Sequence, residues 1–228
     1  MAPLLVPAAV HAEPKRLAGV AYEETVRGEP APGQVLPLLI AFHYSGGSAA
    51  ESFENYDGLA GPVRILVPLG TFPKRKGFSY FPVDYYERGA ADRQRIARAT
   101  IGRMAAFIRA ATALYGSRPV VTGISQGGDI SFLLAIDHPD LIVASFPFAP
   151  VIPDEPPPAA RSADTRPPIH VMQGETDPIV DVALTRRRVE ALADRLPIRL
   201  TTYAGLGHDI SPAMKRDYSR LIDAALRR

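Results

Sequence analysis

Residues 119–128 read Pro119-Val120-Val121-Thr122-Gly123-Ile124-Ser125-Gln126-Gly127-Gly128. An apolar run ends in Gly-x-Ser-x-Gly, and Ile130, Phe132, Leu133, Leu134 and Ile136 follow with the spacing of a buried helix. Strand, sharp turn and helix form the context in which such a serine serves as a nucleophile; without it, five residues of this pattern are only a flexible loop. The turn is tight enough that side chains at 123 and 127 would collide with neighbouring backbone. It would lift the Ser125 hydroxyl out of the sheet. It would also leave the N–H of Gln126 at a helix N-terminus, where an oxyanion can bind.

Two further apolar runs open into loops carrying complementary groups. Ile169-His170-Val171-Met172 leads into Gln173-Gly174-Glu175-Thr176-Asp177-Pro178-Ile179-Val180, and Ile198–Tyr203 leads into Gly205-Leu206-Gly207-His208-Asp209. Serine, acid and histidine therefore occur in that order, each just past the C-terminal end of a predicted strand, where open α/β sheets place their sites. A serine hydroxyl needs a base within hydrogen-bond reach; His208 can take and return the proton, and Asp177 can fix its tautomer and stabilise the imidazolium. Other acids near the histidine fit less well: Asp181 reads as the N-cap of the next helix, and Asp209 adjoins the histidine and points elsewhere. Of the other histidines, His11 lies in a tail, His138 ends a helix before Pro139, and His170 alternates within a strand.

Gly-Ile-Ser-Gln-Gly-Gly, Gln-Gly-Glu-Thr-Asp-Pro-Ile-Val and Gly-Leu-Gly-His together resemble the phospholipase/carboxylesterase branch of the α/β-hydrolase superfamily, which includes small carboxylesterases and acyl-protein thioesterases. The resemblance runs from about Leu36 to the C-terminus. It implies a serine hydrolase that cleaves esters or thioesters through an acyl-enzyme on Ser125, with a small-molecule substrate and no cofactor or metal. The run Leu38–Phe42 ends in His43-Tyr44-Ser45-Gly46-Gly47. Relatives carry His-Gly and small residues here, and this loop supplies the second oxyanion N–H. Tyr44 stands where the first glycine is usual; the family pattern points to the N–H of Ser45, with Tyr44 as a near alternative. His43 precedes Ser125, does not fit the order of the triad, and reads as a brace for the loop.

Residues 69–86 hold Phe72, Phe78, Tyr80, Phe81, Tyr85 and Tyr86, a concentration of rings suited to lining a groove beside a nucleophile. Tyr80 and Phe81 are the candidates there. By resemblance, Phe148 (with Phe146) and Ile179 are the candidates on the opposite side. Within the same reading, an exported polyester depolymerase or a feruloyl-esterase-like enzyme is an alternative. Outside it stands a non-catalytic ligand-binding protein of the same fold, against which the complete set Ser125, Asp177 and His208 argues. Acyl transfer or lyase chemistry on the same three residues stays open.

Composition bounds these readings. The 228 residues suffice for one domain with a large core. With 26 basic and 24 acidic residues the net charge is +2, which gives no footprint for nucleic acid. The short clusters Lys74-Arg75-Lys76 and Arg186-Arg187-Arg188 read as solvated. Cysteine is absent, excluding disulfides, thiolate metal sites and a cysteine nucleophile. No run of 18 apolar residues exists to span a membrane. Residues 1–14 form a tail or the remnant of a secretory signal, with a small-x-small end at Val10-His11-Ala12 but no basic n-region, so a cytoplasmic and an exported location both stay open. Monomer and homodimer are likewise undecided.

Strand and helix patterns alternate from residue 15 to 228 as one domain. The expected strands are Leu17–Val26 on an antiparallel edge, Val35–Phe42, Val63–Val67, the elbow strand, Ile142–Phe148 and the two runs before Asp177 and His208. The expected helices are a short one within Ala49–Leu59, 90–115, the elbow helix, Val182–Leu196 and Pro212–Leu226, with a proline-rich connector at 154–168. This pattern makes an α/β-hydrolase fold: a mostly parallel, doubly wound sheet with helices on both faces and no separate lid domain.

Overall fold

The computed structural model describes residues 14–153 and 166–227. The tail with its signal-like segment and most of the proline-rich connector lie outside the described residues. Eight strands form the central sheet: β1 (Lys15–Leu17), β2 (Val20–Arg27), β3 (Leu38–Phe42), β4 (Val63–Pro68), β7 (Pro119–Ile124), β8 (Ala144–Phe148), β9 (Ile169–Gly174) and β10 (Ile198–Tyr203). Their spatial order is β1-β2-β4-β3-β7-β8-β9-β10, and β5 (Phe72–Lys74) and β6 (Gly77–Ser79) form a separate hairpin. β1 and β2 pair antiparallel, as do β2 and β4; every pairing from β4 to β10 is parallel.

The inner strands of the sheet are buried on both faces, which is why they are largely continuous apolar runs. All five residues of β3 are buried. Leu38, Ile40 and Phe42 face a core shared with α2 (Ala90–Tyr115), α3 (Gln126–Asp137) and α4 (Val182–Leu192), through Ile101, Ile108, Ile130 and Val189 among others. Leu39 and Ala41 face the second core with α1 (Ala49–Glu54) and α5 (Pro212–Leu226), where Tyr56, Met214, Tyr218 and Ile222 pack. The period-two alternation of β3 thus assigns its neighbours to two layers of helices.

Helix ends follow local chemistry. α1 begins with a capping box, the Ser48 side chain accepting from Glu51 N and the Glu51 carboxylate from Ser48 N. α2 ends at Gly116 in the left-handed conformation, φ 73°. α5 starts at Ser211 with Pro212 in its first turn, and the Asp181 carboxylate caps α4 by accepting from Ala183 N.

Three expectations need correction. The single strand at 17–26 is two strands, because Ala18 and Gly19 take φ of 48° and 79° and turn the chain back on itself. The helix expected over 182–196 ends at Leu192, whereas the short helix expected within 49–59 is Ala49–Glu54. Arg188 is not simply solvated: its guanidinium donates to the Ile152 carbonyl.

Candidate active site

Ser125 joins β7 to α3 with φ 53° and ψ −116°, outside the regions favoured by L-residues. The surrounding backbone enforces that geometry. A Cβ on Gly123 would lie 2.2 Å from the Gly127 carbonyl oxygen, and one on Gly127 would lie 2.1 Å from that of Phe42. Ser125 N–H donates to the Phe148 carbonyl at 2.9 Å, anchoring the turn to β8. Its side chain makes no capping bond to the helix, and the residue is half-buried at the sheet edge. The Gln126 N–H, in the first turn of α3, has no acceptor within the helix.

The loops after β9 and β10 lock together. A Cβ on Gly174 would lie 2.1 Å from the Leu206 carbonyl oxygen, so only glycine lets the two backbones approach this closely. Thr176 N–H donates to that same carbonyl at 3.0 Å, and Glu175 N–H to Tyr203 O at 2.9 Å. Asp177 is held from both sides of its carboxylate: Oδ1 accepts from Ile179 N (2.8 Å) and Val180 N (2.9 Å), and Oδ2 lies 2.7 Å from His208 Nδ1. The Asp177 side chain is fully buried and that of His208 is 17% exposed. With Nδ1–H given to the carboxylate, His208 presents Nε2 as an acceptor. Ile179 is 70% exposed two residues from the acid.

The loop after β3 is braced by His43, which is 1% exposed. Its Nδ1 donates to Tyr44 O (2.8 Å), its Nε2 accepts from Gly70 N (3.1 Å), and its ring stacks on Tyr80 at 4.3 Å. Both ring nitrogens are committed, as expected of a structural histidine. The N–H groups of His43, Gly46 and Gly47 are also spent, on Tyr80 Oη (3.2 Å), Phe78 O (2.8 Å) and Tyr44 O (2.9 Å). Those of Tyr44 and Ser45 are not spent in this way. Tyr44 departs from glycine without blocking the loop: its ring lies sideways over Gly47, and its hydroxyl donates to the α1 cap residue Glu51 at 3.0 Å. Lys74 Nζ donates to Ser45 Oγ at 2.9 Å.

Burial pushes the His43 pKa down to about 4. Unfolded, the residue titrates near 6.5, so its neutral form stabilises the fold fully above that pH and the contribution is lost as pH falls towards 4, by up to about 3 kcal/mol. The expected result is a Tm that drops across this window more steeply for wild type than for His43→Gln. Calorimetric melts from pH 7 to 4 check this; parallel slopes would contradict the assignment.

The aromatic residues proposed to line the groove are placed otherwise. Tyr80 and Phe81 are 1% and 0% exposed, core residues rather than groove walls. The Tyr80 hydroxyl donates to Pro68 O at 2.6 Å, and Phe81 stacks on Tyr85 at 4.2 Å. Phe148 is equally buried, against Tyr218, and it reaches the site through its carbonyl rather than its ring. Exposed apolar side chains on the hairpin and loop between β4 and α2, after β8 and after β9 are Phe78, Val83, Tyr86, Val151 and Ile179.

A group not foreseen from the sequence lies one turn beyond Ser125. The Asp129 carboxylate is buried, accepting from Tyr86 Oη (2.7 Å) and Val151 N (2.6 Å), and burial pushes its pKa up to about 7. The signal was an acid inside the apolar face of the elbow helix, at a position where charge is rare unless paired.

A model of the family described as phospholipase/carboxylesterase matches residues 67–226. No curated protein matches the sequence. Among solved structures, a carboxylesterase from Mesorhizobium loti is 18% identical, with a TM-score of 0.74 over 92% of this chain and 97% of its own. The Bacillus cereus carboxylesterase is 16% identical, with a TM-score of 0.72 over 90% and 94%. Atu2452, a protein of unknown function from Agrobacterium tumefaciens, is 25% identical, with a TM-score of 0.72 over 90% and 97%.

Proposed function

Since the chain belongs to the phospholipase/carboxylesterase family and is a hydrolase of the α/β-hydrolase type, we propose that it is a serine esterase acting on carboxylic esters or thioesters of small molecules. The observation that carries this reading is the constellation at the C-terminal edge of the sheet: a serine held at φ 53° on an elbow, and a histidine 2.7 Å from a buried carboxylate that is itself fixed by two backbone N–H groups.

In this mechanism Ser125 Oγ attacks the acyl carbonyl while His208 Nε2 takes its proton. The oxyanion accepts from Gln126 N–H and from the N–H of Ser45 or Tyr44. His208 then protonates the leaving alcohol or thiol, the acyl group stays on Ser125, and water activated by the same imidazole releases the acid. Asp177 stabilises the imidazolium at both stages without itself becoming protonated. The chemistry needs no cofactor.

A p-nitrophenyl ester series from acetate to decanoate, run beside an acyl thioester, tests the reading. Turnover with a pre-steady-state burst, and stoichiometric loss of activity to an organophosphorus fluoride that attaches to Ser125, are expected. A protein that hydrolyses none of these, and takes up no phosphoryl group, would overturn it.

A further inference from the structure

The five exposed apolar residues come from three segments (Phe78, Val83 and Tyr86 from 78–86, Val151 after β8 and Ile179 after β9), and two of them are tied to one buried group. Tyr86, 42% exposed, gives its hydroxyl to Asp129 Oδ2; Val151, 40% exposed, gives its backbone N–H to Asp129 Oδ1. Asp129 lies in α3, four residues after Ser125 and one turn into the helix whose N-terminus is offered to the oxyanion. Gln126 extends the same tie. Its Oε1 accepts from Tyr80 N at 2.7 Å and from Ser79 Oγ at 3.0 Å, joining the stretch before Tyr86 to the start of α3. The segment after β8 is equally constrained: Ala149 takes φ 46°, its N–H donates to Met172 O, and the preceding Phe148 carbonyl holds Ser125 N–H.

A buried carboxylate is costly unless every lone pair has a use. Here its bonds bridge three segments that no local rule would bring together: the aromatic stretch 78–86, the first turns of α3, and residues 148–151. The bridging bonds are short and shielded, so the spacing of the exposed Tyr86 and Val151 side chains is fixed relative to Ser125 rather than set by loop fluctuation.

We infer that Asp129 is a positioning residue that determines acyl or alcohol preference, by holding Tyr86 and Val151 as two apolar walls at a fixed distance beside Ser125. This rests on the esterase reading above. Asp129 touches none of the reacting atoms and acts through the two residues it binds. Its loss should change which esters are accepted and leave the chemical step on a small ester intact.

The test compares wild type, Tyr86→Phe, Asp129→Asn and the double variant across the p-nitrophenyl ester series, together with amide hydrogen exchange. Tyr86→Phe deletes one hydroxyl from an exposed ring, so it is the variant that retains the fold even if Asp129→Asn does not. The expected result for Asp129→Asn is kcat on acetate within about twofold of wild type and KM on the longer esters altered by about tenfold, with a shifted chain-length optimum; Tyr86→Phe should shift the optimum in the same direction. Effects of the two substitutions should be less than additive in log kcat/KM, because both break one tie. The Val151 amide should exchange faster in Asp129→Asn, with β7 amides unchanged. Superimposable chain-length profiles in folded variants, or an unchanged Val151 amide, would overturn the inference. Wild type silent towards every ester would overturn the esterase reading instead, and the exchange arm then decides by itself whether Asp129 ties the segments.

Discussion

Ser125→Ala lowers kcat/KM on p-nitrophenyl esters by roughly 10⁴- to 10⁶-fold, the loss expected when a triad nucleophile is removed and only binding and oxyanion donors remain. The substitution is a clean one in this fold. The Ser125 hydroxyl caps no helix, so its removal orphans no partner, and the strained φ of 53° is imposed by Gly123, Gly127 and the Phe42 and Phe148 carbonyls rather than by the side chain. Tm should therefore move by no more than a few degrees, about what a substitution near 1 kcal/mol produces. Residual activity traces to the N–H donors at Gln126 and the loop after β3, which the variant retains. The measurement is kcat/KM beside a thermal melt on one preparation. A folded Ser125→Ala enzyme retaining a tenth or more of the wild-type rate would remove Ser125 from the chemistry.

The α/β layering was legible because parallel strands buried on both faces appear as largely apolar runs, as β3, β7 and β9 do, while the edge strand β10 alternates Ile198 and Leu200 with Arg199 and Thr201. The elbow, the acid loop and the histidine loop were legible for a related reason. Each follows a strand directly, and the glycines that permit their close approaches, Gly123, Gly127 and Gly174, stand in the same short stretches.

What stayed hidden depended on contacts between distant segments. The β5–β6 hairpin turns at Arg75, with φ 53° at a residue that gives no turn signal, and it packs on the loop after β3 through Gly47 and Phe78. Ring content alone could not say that Tyr80 and Phe81 face the core while Tyr86 faces out, since that choice is made by Gln126 and His43 from 46 and 37 residues away. Asp129 was visible as an anomaly in an apolar helix, but its partners at 86 and 151 were not.

Asp177→Asn should cost about 10⁴-fold in kcat while leaving KM for a small ester nearly unchanged, and the cause is a tautomer. In wild type Asp177 Oδ1 takes the N–H groups of Ile179 and Val180, so Oδ2 is the oxygen facing His208 Nδ1. An asparagine retains the first two bonds with its carbonyl oxygen, which forces its NH₂ against Nδ1. Donor then meets donor, and the imidazole relieves the conflict by moving its proton to Nε2, the nitrogen that must be free to accept from Ser125. The loop itself survives, so the fold should stay close to wild type. Asp177→Ala is different in kind. It leaves the Ile179 and Val180 N–H groups unpaired beside a buried position, at about 1–3 kcal/mol each, and the acid loop should loosen together with the loss of rate. Parallel substitutions separate this from a general effect of removing negative charge. Asp181 is engaged at Ala183 N and Asp209 at Ile210 N, so Asp181→Asn and Asp209→Asn should retain kcat to within about threefold. Rates, melts and the imidazole proton resonances of the Asn and Ala variants would distinguish these cases. An Asp177→Asn enzyme within tenfold of wild type, or a His208 that retains its Nδ1 proton in that variant, would require a different group to orient the histidine.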